Sequence, residues 1–120
     1  MDYLLLGPEE GEKNEWLADE KKRVLAQHPD AEVHQFYAGD DTGEAISSVL
    51  SQSSLFSSFR LVIVKQFENR SGKDGIAKAI EDYLKAKQDD AELIIVSSER
   101  SQMKIPKPIL DGIGKDGVKM

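Results

Sequence analysis

Two short runs without a polar residue constrain this chain most: Leu61-Val62-Ile63-Val64 and Leu93-Ile94-Ile95-Val96. Each is too short for a buried helix, rich in β-branched side chains and flanked by polar residues. A strand that is apolar on both sides must be covered on both sides, which is the pattern of a parallel sheet clad by helices. Between the two runs, Ile76, Ala77, Ile80, Tyr83 and Leu84 recur at helical spacing, as a crossover between parallel strands requires.

The remaining segments extend this alternation. Tyr3-Leu4-Leu5-Leu6 reads as a strand stopped by Gly7-Pro8, after which Pro8, Glu9 and Glu10 suit the first turn of a helix. That helix is expected to run to about Gln27, with Leu17, Val24 and Leu25 on its apolar side and Asp19 to Arg23 as a solvated charge run. His28-Pro29-Asp30 ends it. Glu32 to Ala38 mixes polar and apolar residues on both sides and reads as an edge strand. Thr42 is placed to cap a helix carrying Ala45, Ile46, Val49 and Leu50. Ile109, Leu110 and Ile113 predict one short helix after Pro106 and Pro108, and Val118-Lys119-Met120 opens a further strand. The expectation is an α/β fold: three layers, αβα, around a mostly parallel five-stranded sheet, with residues 1–120 forming one domain.

Composition removes several functions. The chain has no cysteine, so disulfides and thiolate metal sites are excluded. A formal net charge of −6 argues against direct gripping of nucleic acid, which needs clustered Lys and Arg. No run has the length of a membrane span, and the first residues lack the basic start and apolar stretch of a signal peptide. A soluble, cytoplasmic protein is the expectation.

In an open parallel sheet the ligand lies at the carboxyl ends of the strands. After the first strand comes Gly7-Pro8-Glu9-Glu10-Gly11-Glu12-Lys13-Asn14, where a phosphate-binding loop G-x-x-x-x-G-K-[ST] would sit. Gly7 and Lys13 fall on the motif's first glycine and its lysine. Glu12 stands in place of the second glycine, despite Gly11 beside it, and Asn14 replaces the hydroxyl that holds magnesium. Glu9, Glu10 and Glu12 also bring negative charge to where phosphates would lie. One like-charge contact at about 5 Å costs roughly 3 kcal/mol at an effective dielectric near 20. At the end of the third strand, Lys65 and Gln66 occupy the place of the acidic pair that such enzymes use for magnesium and water. The site has the position of a nucleotide loop and the chemistry of a non-binder, and neither a cofactor nor a metal is expected.

Other constellations carry less. Asp40-Asp41 reads as an ordinary turn, since a receiver-type acceptor belongs where Lys65-Gln66 stands. His28 and His34 have no metal-like cluster around them, Ser97, Ser98 and Ser101 read as polar loop residues, and Trp16 reads as a helix anchor. Leu55 and Phe56 stand side by side among serines, either capping the core or offered to a partner.

Tyr3-Leu4-Leu5-Leu6-Gly7-Pro8-Glu9-Glu10, the aspartate-rich loop from Gly39 to Thr42, Ser54-Leu55-Phe56 before Arg60-Leu61-Val62-Ile63-Val64, and Glu92-Leu93-Ile94-Ile95-Val96 together resemble the N-terminal domain of the delta subunit of bacterial DNA polymerase III. This family belongs to the sliding-clamp loader. The resemblance implies a P-loop NTPase/AAA+-like domain with a degenerate nucleotide site and no catalysis of its own, within a polymerase holoenzyme. It implies binding to the β sliding clamp through Leu55 and Phe56, with Ser53 where some members carry another apolar residue. It further implies a longer subunit, whose lid and collar would meet other loader subunits, with DNA engaged only indirectly. The alternative from another class is a divergent P-loop-type nucleotide-binding enzyme.

Overall fold

Both apolar runs become central strands of one sheet. The computed structural model describes residues 1–51, 59–87 and 89–119. The strands are β1 (Tyr3–Leu5), β2 (Glu32–Tyr37), β3 (Arg60–Lys65), β4 (Ala91–Val96) and β5 (Val118–Lys119). Between them lie α1 (Glu10–Gln27), α2 (Gly43–Leu50), α3 (Ile76–Lys85) and α4 (Lys107–Ile113). In space the sheet runs β2-β3-β4-β1-β5, and every pairing is parallel.

The alternation of side chains along each strand divides the core in two. Leu4, Leu6, Val62, Val64, Leu93 and Ile95 face one side, where Ile46 and Leu50 of α2, Ile76 and Ile80 of α3, and Ile109 and Ile113 of α4 close over them. Leu5, Leu61, Ile63, Ile94 and Val96 face the other, where Leu17 and Val24 of α1 meet them. Among the described residues, three helices therefore cover one face and a single, thinly apolar helix covers the other. The αβα layering and the edge position of β2 are as the sequence predicts.

Local chemistry sets the element ends. The Thr42 hydroxyl accepts from Ala45 N at 3.3 Å and caps α2. The Asp74 carboxylate accepts from Ser71 N and Ile76 N, at 2.8 and 3.0 Å, and turns the chain into α3. Helix α2 crosses close to that turn: a Cβ on Gly43 would stand 2.1 Å from the Gly75 carbonyl oxygen. Only glycine permits this approach.

Four expectations need correction. Helix α1 starts at Glu10 rather than Pro8, because Gly7, at φ 105°, first turns the chain out of the strand. Leu25 is exposed, not part of the apolar side. Glu20, inside the charge run expected to be solvated, is 7% exposed. Its spacing of seven from Lys13 and three from Leu17 puts it on the buried stripe. Ser97 is fully buried and part of a hydrogen-bonded end of β4, not a simple loop residue.

Candidate functional site

The loop after β1 leads to α1 on one face of the sheet, whereas the chain after β4 leads to α4 on the other. Strands β1 and β4 are neighbours, so a crevice opens between their carboxyl ends, the place where open α/β sheets bind ligands.

Lys13 fills that crevice. Its side chain is 7% exposed, and its Nζ donates to the carbonyl of Gly7 at 2.6 Å and to that of Ser97 at 3.1 Å. These carbonyls follow β1 and β4 respectively, so one ammonium ties the two strand ends together. The Glu10 carboxylate stands 3.5 Å from the same nitrogen. A buried ammonium requires such partners, because desolvation of an unpaired charge is far costlier than the bonds it forgoes.

The backbone around Lys13 is helical rather than an open loop. Residues 10–14 are already helical, which leaves residues 6–9 as the whole connection. Gly11 lies within α1 with open space around its Cα, and Glu12 and Asn14 are exposed. Gly7 N donates to Glu99 O at 2.8 Å, so that amide is engaged by the loop after β4. Beside the loop lies a mainly apolar cavity of about 350 Å³, walled by Leu6, Pro8 and Trp16 and rimmed by Glu9, Glu12, Arg100 and Lys119. Trp16 packs edge-to-face on Tyr3, with ring centroids 4.8 Å apart, and anchors α1 as expected.

At the end of β3, Lys65 belongs to the strand and Gln66 takes a left-handed conformation at φ 56°, ψ 42°. This turn sends the Glu68 carboxylate back to accept from Ser98 N at 3.0 Å. Glu99 accepts from Ser97 Oγ at 3.1 Å and from Arg70 Nη1 at 3.3 Å, while Arg70 lies over the Phe67 ring at 4.2 Å. The acidic groups at the strand ends are thus occupied in tying loops together. Among the described residues, no three His, Cys, Asp or Glu side chains converge to hold a metal. Asp41 accepts from Tyr37 N at 2.7 Å, which makes Asp40-Asp41 part of a turn.

Of the residues singled out from sequence, Gly7, Gly11, Glu12, Lys13 and Asn14 come together around the β1–α1 connection. Ser53, Leu55 and Phe56 lie outside the described residues. Sequence reasoning missed the inward turn of Lys13 and the left-handed Gln66; a polar residue directly after a strand carries no signal that tells an αL turn from an ordinary one.

No protein-family model matches the chain, and no curated protein matches it in sequence. In structure it is similar to the Bacillus subtilis DNA clamp loader delta protein (YqeN), with a TM-score of 0.66 over 99% of this chain at 17% identity. The fold is shared. The chain spans 37% of the length of that protein. Low identity with full coverage means that the fold is held in common while most residues differ. Among the described residues, no helix is long and apolar enough to cross a membrane.

Proposed function

We propose that this chain is the α/β domain of a clamp-loader delta subunit, of the AAA+ type, which binds the β sliding clamp during DNA replication without catalysing a reaction. The observation that carries this reading is the likeness in fold over 99% of the chain. The condition of the nucleotide loop supports it: the amine that would meet phosphate is engaged by Gly7 and Ser97 carbonyls, and the cradle position is helical.

The clamp contact is assigned to Leu55 and Phe56, with Ser53 at its rim. These residues follow α2, which ends at Leu50, and precede β3, which begins at Arg60. Both flanking elements are anchored in the core, by Ile46 and Leu50 on one side and Leu61 and Val62 on the other. A pair of large apolar side chains between rigid anchors suits insertion into a partner's pocket. Burial of a Leu and a Phe contributes roughly 1.5–3 kcal/mol each, so the pair is a hot spot and not the entire contact. Opening a ring further requires tighter binding to the open than to the closed form, hence a second contact sensitive to shape. Other loader subunits would dock on parts of the longer subunit, and DNA would be met only through the assembly.

The test is capture of the chain by the clamp of the same organism. Leu55→Ala combined with Phe56→Ala abolishes capture and leaves the melting temperature within a few degrees of the parent. A double variant that melts far lower would show the pair to be core, and one that still binds would remove it from the interface.

A further inference from the structure

Helix α1 is fixed to the sheet by four buried residues, Lys13, Leu17, Glu20 and Val24, of which two are charged. Lys13 secures the carboxyl-end crevice. Glu20 secures the opposite end, where it meets Glu92 of β4, which is 1% exposed and paired in register with the apolar Leu61. Two carboxyl groups, both within reach of Arg23 Nη2, therefore share a buried seam under one helix.

The cations around them do not balance this seam evenly. Arg23 donates Nε and Nη2 to the Glu20 carboxylate at 2.8 and 2.5 Å, and only Nη2, at 3.1 Å, reaches Glu92 Oε1. The Met1 amine stands 3.8 Å from the same Oε1. Glu92 Oε2 is buried without a hydrogen-bond partner as an acceptor. A protonated Oε2 becomes a donor, and Glu20 is the acceptor beside it. From β1, Tyr3 faces the seam. Asp2 is engaged by Tyr83 and Leu93 N, and the Arg60–Asp90 pair lies at the same end of the sheet.

We propose that Glu20 and Glu92 share one proton in the folded chain, and that this proton is a latch which holds the central part of α1 on the sheet. With the proton present, Glu92 donates to the Glu20 carboxylate and Arg23 neutralises the pair. When it leaves to solvent past the half-exposed Arg23, two buried carboxylates face each other with the Arg23 guanidinium between them and only the half-exposed Met1 amine beside Glu92, and α1 loosens.

The direction of the pH dependence follows from the two environments. Burial, then the hydrogen bond to Glu20 and its charge, push the Glu92 carboxyl up to about 8. Burial of Glu20 opposes its ionisation, but hydrogen bonds from Arg23 and Glu92 outweigh it and hold Glu20 below the ordinary range. Glu92 binds its proton more tightly folded than unfolded, so its contribution is full below the ordinary carboxyl range and is lost as pH rises to about 8. Glu20 acts in the opposite sense, losing its contribution only in acid.

The experiment is a carbon-13 NMR titration of the Glu92 carboxyl in the full chain, with hydrogen exchange of α1 amides corrected for intrinsic rates. The midpoint for Glu92 is expected near 8. The opening constant of α1 rises about tenfold per pH unit between about pH 6 and pH 7.5, and Glu92→Gln flattens that slope. In Glu20→Gln the Glu92 midpoint falls, because the neighbouring anion is gone; this decides the matter if Glu92→Gln does not fold. A Glu92 midpoint in the ordinary carboxylate range, or one unmoved by Glu20→Gln, overturns the proposal. So does an α1 slope that persists in Glu92→Gln.

Discussion

A buried amine needs oxygen partners, and Lys13 finds them in two carbonyls that belong to different strand ends. Lys13→Met keeps the length of the side chain but leaves the Gly7 and Ser97 carbonyls without their donor, at a cost of roughly 1–3 kcal/mol in urea denaturation. Titration of the parent chain with ATP and magnesium is expected to give no binding heat; heat that disappears in Lys13→Met would favour the P-loop enzyme instead. Gln66 makes a second prediction at this scale. A non-glycine residue at φ 56° stores strain of about 1–2 kcal/mol, which Gly relieves at some entropic cost and a β-branched residue worsens. Gln66→Gly is therefore neutral to slightly stabilising in thermal melts, whereas Gln66→Val lowers the melting temperature. Buried charge was the least legible part of the sequence. Glu20 sits within Asp19-Glu20-Lys21-Lys22-Arg23, where residue type alone says solvent, and only its spacing from Lys13, Leu17 and Val24 marks it as inward. Glu92 is the second residue of a strand covered on both faces, so alternation gives no sign of where it points.

Among the elements, the strands were legible because their apolar runs are short, dense and bounded by polar residues. Helix α3 was legible for its stripe, and Thr42 for its position one turn before Ala45. Helix α1 was legible in extent but not in attachment: its apolar stripe is thin because charged residues fill half of the buried positions. The α2–α3 contact is a close backbone approach that no hydrophobic pattern announces. Gly43→Ala places a methyl group 2.1 Å from the Gly75 oxygen and must force the helices apart. The expected loss is about 1–3 kcal/mol, or more if the backbone cannot yield, read as a lower denaturation midpoint with an unchanged slope. An unchanged midpoint would mean that the two helices separate freely.

The whole molecule joins a parallel five-stranded sheet to a switch-point crevice closed by its own lysine. Order and layering follow from the alternation of apolar runs and helical stripes, which is why the sequence carried the architecture so far. The departures of Glu12, Asn14, Lys65 and Gln66 from a nucleotide site can be read in the sequence, but the closure of the crevice by Lys13 depends on the distance between two strand ends that only the fold brings together. The clamp-binding assignment rests on Leu55 and Phe56, outside the described residues, and so on the likeness in fold and on the resemblance of those residues. The most direct test is equilibrium binding of the chain to the sliding clamp of its own organism, parent against Leu55→Ala/Phe56→Ala in one series. Saturable binding by the parent is expected, weakened by about two to four decades in the double variant. Equal affinities for the two proteins, or no binding by the parent, would contradict it.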